Sequence, residues 1–126
     1  MSGYSLDANI LIDTLLGHAP AFATLSALEA AGERIWISRM AWVEALSKGD
    51  EVVIATAIRF LSRFGIDEMD EGIASRAAAL RRQRPKLKSP DAIILASAQA
   101  HGRVLVTRNT RDFPQDMPGI HVPYTI

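Results

Sequence analysis

A chain of 126 residues with 48% hydrophobic side chains is globular in composition and fits a single domain, residues 1–126. Its 14 basic residues balance its 14 acidic ones, so net charge alone points to no polyanionic partner, and no apolar run nears the about 18 residues of a membrane-spanning helix. Cysteine is absent, which excludes disulfides and thiolate metal sites. With no basic stretch leading into an apolar core at the N-terminus, the expected location is the cytoplasm.

Taken in chain order, Tyr4 to Leu6 is a short apolar strand that meets Asp7 and Asn9 and continues as a helix from Ala8 to Leu16. Gly17, His18 and Pro20 stop it. A second helix, Ala21 to Ala31, sets Phe22, Leu25, Leu28 and Ala31 on one face and ends at Gly32. Arg34 to Ile37 predicts a second strand, and Ser38 caps a helix through Leu46 that carries Trp42 and Glu44. Asp50 caps the helix Glu51 to Phe64, with an apolar stripe through Val53, Ala57, Phe60, Leu61 and Phe64. Gly65 to Asp67 reads as a brief strand, and Asp70 opens a helix from Glu71 to Arg84, ended by Pro85. Ser89, Pro90 and Asp91 predict a helix start with Ser89 as cap, and the helix runs from Ala92 to His101, where Gly102 stops it. Arg103 to Val106 is the clearest strand. Thr107 to Phe113 follows as a polar loop or short helix, and Gly119 to Val122 is a final edge strand. Strands alternating with helices predict an α/β fold with a short, mainly parallel sheet of four or five strands.

Three of these strands end in polar residues: Asp7, then Ser38, then Thr107 with Asn109. In open parallel sheets the ligand crevice lies beyond the carboxyl ends of the strands, so the recurrence marks a site. Each residue also has a plainer reading. Asp7 can cap the following helix, Asp91 can complement a helix dipole, Glu44 can face solvent, and Asp112 can be an ordinary loop acid. If the acids converge, their repulsion requires a proton or a cation. Oxygen donors without cysteine or paired histidines favour Mg²⁺ or Mn²⁺ over zinc, an ion that polarises phosphoryl oxygens and activates water. His18, His101 and His121 read as structural, and Trp36 and Trp42 as core or groove lining. Arg76, Arg81, Arg82, Arg84, Lys86 and Lys88 form a basic run with no acid among them, either a grip for phosphates or a solvated helix end.

The segments SLDANILID, WVEAL, KSPDAIILASA and LVTRNTRDF occur in this order along nearly the whole chain, and together they resemble PIN-domain proteins, more closely the VapC-type toxin ribonucleases of bacterial toxin–antitoxin pairs. The resemblance implies a three-layer α/β/α sandwich, an acidic pocket for Mg²⁺ or Mn²⁺ and endonucleolytic cleavage of RNA to 5′-phosphate and 3′-hydroxyl ends. It also implies a homodimer and inhibition by a small cognate antitoxin. The family's acidic positions fall on Asp7, Glu44 and Asp91, with Asp7 and Asp91 as metal ligands. Asn9 and Thr107 match the accompanying polar residues. Asn109 stands where a further acid is frequent, and Asp112 matches another acidic position of the motif. On this reading Asp7, Glu44, Asp91, Asp112, Asn109 and Thr107 form the catalytic set, while Asn9, Arg82, Arg84 and Lys86 contact substrate. A binding module whose acidic pocket receives a basic side chain of a partner protein is the alternative. A phosphatase-like reading of Asp7-x-Asn9 is weaker, because the second Asp is absent and no lysine directly follows a predicted strand.

Overall fold

A computed structural model of the chain describes residues 3–125. Five short strands form one parallel sheet: β1 (Tyr4–Leu6), β2 (Ile35–Ser38), β3 (Gly65–Asp67), β4 (Val104–Val106) and β5 (Ile120–His121), in the order β3-β2-β1-β4-β5. Six helices accompany them: α1 (Ala8–Leu15), α2 (Ala19–Ala30), α3 (Arg39–Ala45), α4 (Glu51–Leu61), α5 (Glu71–Gln83) and α6 (Ser89–Ala100). This is the expected α/β sandwich. The chain builds outward from β1 through β2 to β3, then crosses back to place β4 and β5 on the other side of β1. The winding therefore reverses between β1 and β4, and the crevice at their carboxyl ends is where such sheets hold ligands.

Leu6, Ile37, Leu105 and Val106 of the sheet are buried together with Ile10 and Leu11 of α1, Ile94 and Leu95 of α6, and Phe113. The strands are covered, which is why they read as near-continuous apolar runs rather than alternating ones. The caps form locally: Ser38 accepts from Ala41 N, Asp50 from Val53 N and Asp70 from Ile73 N. Gly65 lies against Trp36 so closely that a Cβ there would come within 2.3 Å of the indole, so this pairing of β2 and β3 needs glycine. No single helix among the described residues is long and apolar enough to cross a membrane.

Two local expectations shift. Pro20 does not precede α2 but sits in its first turn, where a missing N–H costs no hydrogen bond. Ser89 is the first residue of α6 rather than its cap; Lys88 occupies the cap position without a side-chain bond. The segment 107–113, expected as a polar loop or short helix, is a loop with a turn. Phe22 and Val53, each set on the apolar face of its helix, are 63% and 52% exposed.

Candidate active site

Asp7 ends β1 and Thr107 ends β4, so strand pairing alone brings them together; Asp7 N bonds the Val106 carbonyl at 2.9 Å. The Asp7 side chain is buried. Its Oδ1 accepts from Ala8 N at 2.7 Å, and its Oδ2 accepts from Thr107 Oγ1 at 2.7 Å and Asn9 Nδ2 at 3.2 Å. Asp7 thus serves α1 as its cap through one oxygen and at the same time lines a cleft. Burial raises its pKa, and the bonds from Thr107 and Ala8, the charge of Arg108 and the bond from Asn9 offset only part of that.

The cleft holds about 390 Å³ and is lined by Asp7, Glu44, Asp91 and Asn109, together with Lys48 and Arg108. Glu44 reaches it from the last turn of α3, and Asp91 from the first turn of α6. Burial, followed by the charges of Asp7 and Asp91, raises the pKa of Glu44. Asp91 is pushed up to about 6 by burial, by the charges of Asp7 and Asp112 and by a hydrogen bond with Asp112, against a smaller opposing effect of Lys88. Carboxyls from three elements and one loop therefore act on one another, and the cleft carries an unmet demand for positive charge.

The loop after β4 is fixed from within. Thr107 Oγ1 accepts from Asn109 N at 3.0 Å, and Asn109 exchanges two bonds with Asp112: Nδ2 to Oδ2 at 2.9 Å and Asp112 N to Oδ1 at 3.2 Å. Arg84 donates to the Asp112 carbonyl, tying this loop to the end of α5. Asn9 uses its amide on Asp7 and Thr107 and its oxygen on Arg108 N. Asn9, which also lines the cleft, and Arg84 are thus both hydrogen-bonded to neighbouring protein groups. Arg82 and Lys86 are exposed and do not line the acidic cleft; Arg82 belongs to a separate depression on α5 with Arg81 and Pro85. His18, His101 and His121 also lie outside the cleft.

A hard divalent cation suits this donor set. Asp7 Oδ2 is saturated by two donors, but Oδ1 accepts only one and keeps a lone pair. Among the described residues no three acidic or histidine side chains form a closed metal shell. Mg²⁺ needs none, since it is held by one or two carboxylates with water and substrate phosphate completing the octahedron. The carboxylates of Asp7 and Asp91, both lining the cleft, could hold it there.

Sequence reading passed over Lys48, Arg108 and Asp13. Arg108 stands between two residues singled out at the end of β4, and Asp13 is a lone acid in the apolar run ILIDTLL; both signals were available. Arg108 Nε donates to Asp13 Oδ2 at 2.5 Å, a pairing across most of the chain that no local pattern announces.

Comparison with known proteins follows the same lines. The family model described as PIN domain matches residues 4–115. No protein of curated function matches the chain. Among solved structures, a toxin–antitoxin complex from Klebsiella pneumoniae contains a chain 42% identical, with a TM-score of 0.83, covering 98% of this chain and 99% of that one. DNA-bound VapBC from Salmonella typhimurium is 26% identical with a TM-score of 0.76 and 96% of each chain covered. VapBC2 from Rickettsia felis, bound to a promoter DNA fragment, shares the fold at 24% identity and a TM-score of 0.75, covering 93% of this chain and 94% of that one.

Proposed function

Since the chain belongs to the PIN-domain family, we propose that it is a metal-dependent endoribonuclease toxin restrained by a cognate antitoxin. The observation that carries the reading is the convergence of Asp7, Glu44 and Asp91 in one open cleft at the switch point of the sheet, with Asp91 pushed up to about 6 by burial and then by its acidic neighbours. Asp7 and Asp91 would hold Mg²⁺ or Mn²⁺, which would supply a Lewis acid for the phosphoryl oxygen. Glu44, whose raised pKa suits proton transfer, orients the attacking water and takes its proton on the carboxylate. Thr107 holds Asp7 in place through Oγ1, and Asn109 and Asp112 brace the loop beside Asp91. Arg82 and Lys86 offer phosphate contacts beyond the cleft, while Arg84 acts by holding the Asp112 loop. RNA as the substrate rests on the family resemblance.

The antitoxin has a surface to meet. An apolar groove of about 490 Å³ between α1, α3 and α4 shares Ile12, Glu44, Ser47 and Lys48 with the acidic cleft. Leu16 and Val52 line it at 79% and 75% exposure, and exposed apolar surface beside a polar site marks a protein contact. A partner seated there can block the cleft next to it. The proposal includes a homodimer, for which Phe22 and Ile58 are exposed apolar side chains outside that groove.

Incubating purified, antitoxin-free protein with RNA and Mg²⁺ or Mn²⁺, beside EDTA and Asp91→Asn controls, tests the reading. Discrete cuts lost in both controls support it; cuts that persist in both defeat it. A folded protein that binds its partner and cuts no RNA is instead a binding module, with the acidic cleft receiving a basic side chain.

A further inference from the structure

Two arginines in this fold grip a buried aspartate in the same way, and only one of them faces the cleft. Arg103 donates from Nε and Nη2 to Asp67 at 3.0 and 2.9 Å, is nearly buried, and lies 4.0 Å over the Trp36 ring. It is a packing element. Arg108 donates from Nε and Nη2 to Asp13 at 2.5 and 3.1 Å, but its side chain is 32% exposed and lines the acidic cleft. Nε and Nη2 are used on Asp13, and the rest of the side chain stays partly open along the cleft.

The support beneath Arg108 has a third member. Tyr124, in the segment after β5, donates its hydroxyl to Asp13 Oδ2 at 2.8 Å. Asp13 therefore accepts along both oxygens from the arginine and again from the phenol, which fixes the plane of the guanidinium from one edge. That edge is taken up by Asp13. The open edge is the one available to an incoming oxyanion.

A phosphodiester approaching Asp7, Glu44 and Asp91 meets repulsion from three carboxyls, so a cation in the same wall is needed to admit it. A planar guanidinium donates to phosphate oxygens with defined geometry, and a held one loses little rotamer freedom on binding. We propose that Arg108 binds a non-bridging phosphate oxygen of the substrate through Nη1, and that Asp13 and Tyr124 are positioning residues that aim it. This deepens the nuclease reading and rests on it.

The test combines binding and turnover. Affinity of a labelled single-stranded oligoribonucleotide is measured across a salt series on Asp91→Asn protein, with and without Arg108→Gln. Cleavage in Mn²⁺ is measured for the wild type, Arg108→Gln, Arg108→Lys and Tyr124→Phe. Arg108→Gln should weaken binding about tenfold and reduce the slope of log affinity against log salt by about one. Arg108→Lys should restore the slope and only part of the affinity, because it returns the charge without the fork. Tyr124→Phe should raise KM several-fold while kcat and the salt slope stay near wild type. Should Arg108→Gln alone fail to fold, the Asp13→Asn/Arg108→Gln pair removes both charges and should show the same loss of affinity. Wild-type affinity and slope in either folded variant, with the parent protein cutting RNA, overturn this inference alone. A wild type that neither binds nor cuts RNA overturns the nuclease reading and this inference together.

Discussion

Asp7 and Asp13 stand on the same strand–helix unit, both with buried side chains, and their surroundings are opposite. Asp7 is bonded by neutral donors and looks at Glu44 and Asp91, and its pKa is raised. Burial pushes Asp13 the same way, yet the bonds from Arg108 and Tyr124 and the nearby positive charge outweigh it and hold the carboxyl below its usual value. One acid is compensated inside the fold and the other is left to be compensated from outside. That difference separates a structural carboxylate from a candidate metal ligand more sharply than burial does.

The largest effect expected from breaking the comparison is on turnover. Asp7→Asn should cut RNA cleavage by about a thousandfold, equivalent to several kcal/mol of lost transition-state stabilisation, while thermal stability falls less than in Asp13→Asn. Parallel kinetics and melting curves check both halves, and a large loss of stability with normal cleavage would reverse the assignment of the two acids. Next, Asp13→Asn should destabilise the protein by about 2–3 kcal/mol, because Arg108 and Tyr124 lose a charged acceptor. Tm should drop by roughly 5–10 °C, measurable by calorimetry.

The pH dependence sharpens the contrast because the signs differ. Asp91 has a folded pKa of about 6, above the ordinary carboxyl value of 3.8, so its contribution to stability is full below that ordinary value and is lost as pH rises through the folded one. Asp13, held low, contributes stability above its ordinary value and loses it only as pH falls further. Metal-free protein should therefore melt at a higher temperature at about pH 5 than at about pH 7.5, and saturating Mn²⁺ should reverse that order by binding the ionised cleft. An Asp91→Asn protein should lose most of the rise. The smallest effect belongs to the basic residues outside the cleft: replacing Arg82 and Lys86 by alanine should flatten the salt dependence of RNA binding by at most about two units, one per phosphate contact. No change in slope assigns them to solvent.

Much of the architecture is written locally. Alternation of short apolar runs with helix-period segments predicts the α/β sheet, and Ser38, Asp50 and Asp70 announce their helices because caps are satisfied within three residues. The departures are also local in kind: Pro20 reads as a stop and serves as a first-turn residue, since the same missing N–H suits both. Strand-end polar residues and the four ordered motifs, by their resemblance, single out Asp7, Glu44, Asp91, Thr107 and Asn109 without coordinates. Tertiary structure alone decided strand order, and with it that the ends of β1 and β4 meet and bring Asp7 against Thr107. It also decided which acids are paired with a cation by direct hydrogen bonds. Asp13 is answered by Arg108 and Tyr124 from the far end of the chain, whereas Glu44 and Asp91 face Asp7 and one another. Periodicity tells each residue which face of its own element it occupies. What stands opposite that face depends on contacts across a hundred residues, which a local pattern cannot encode.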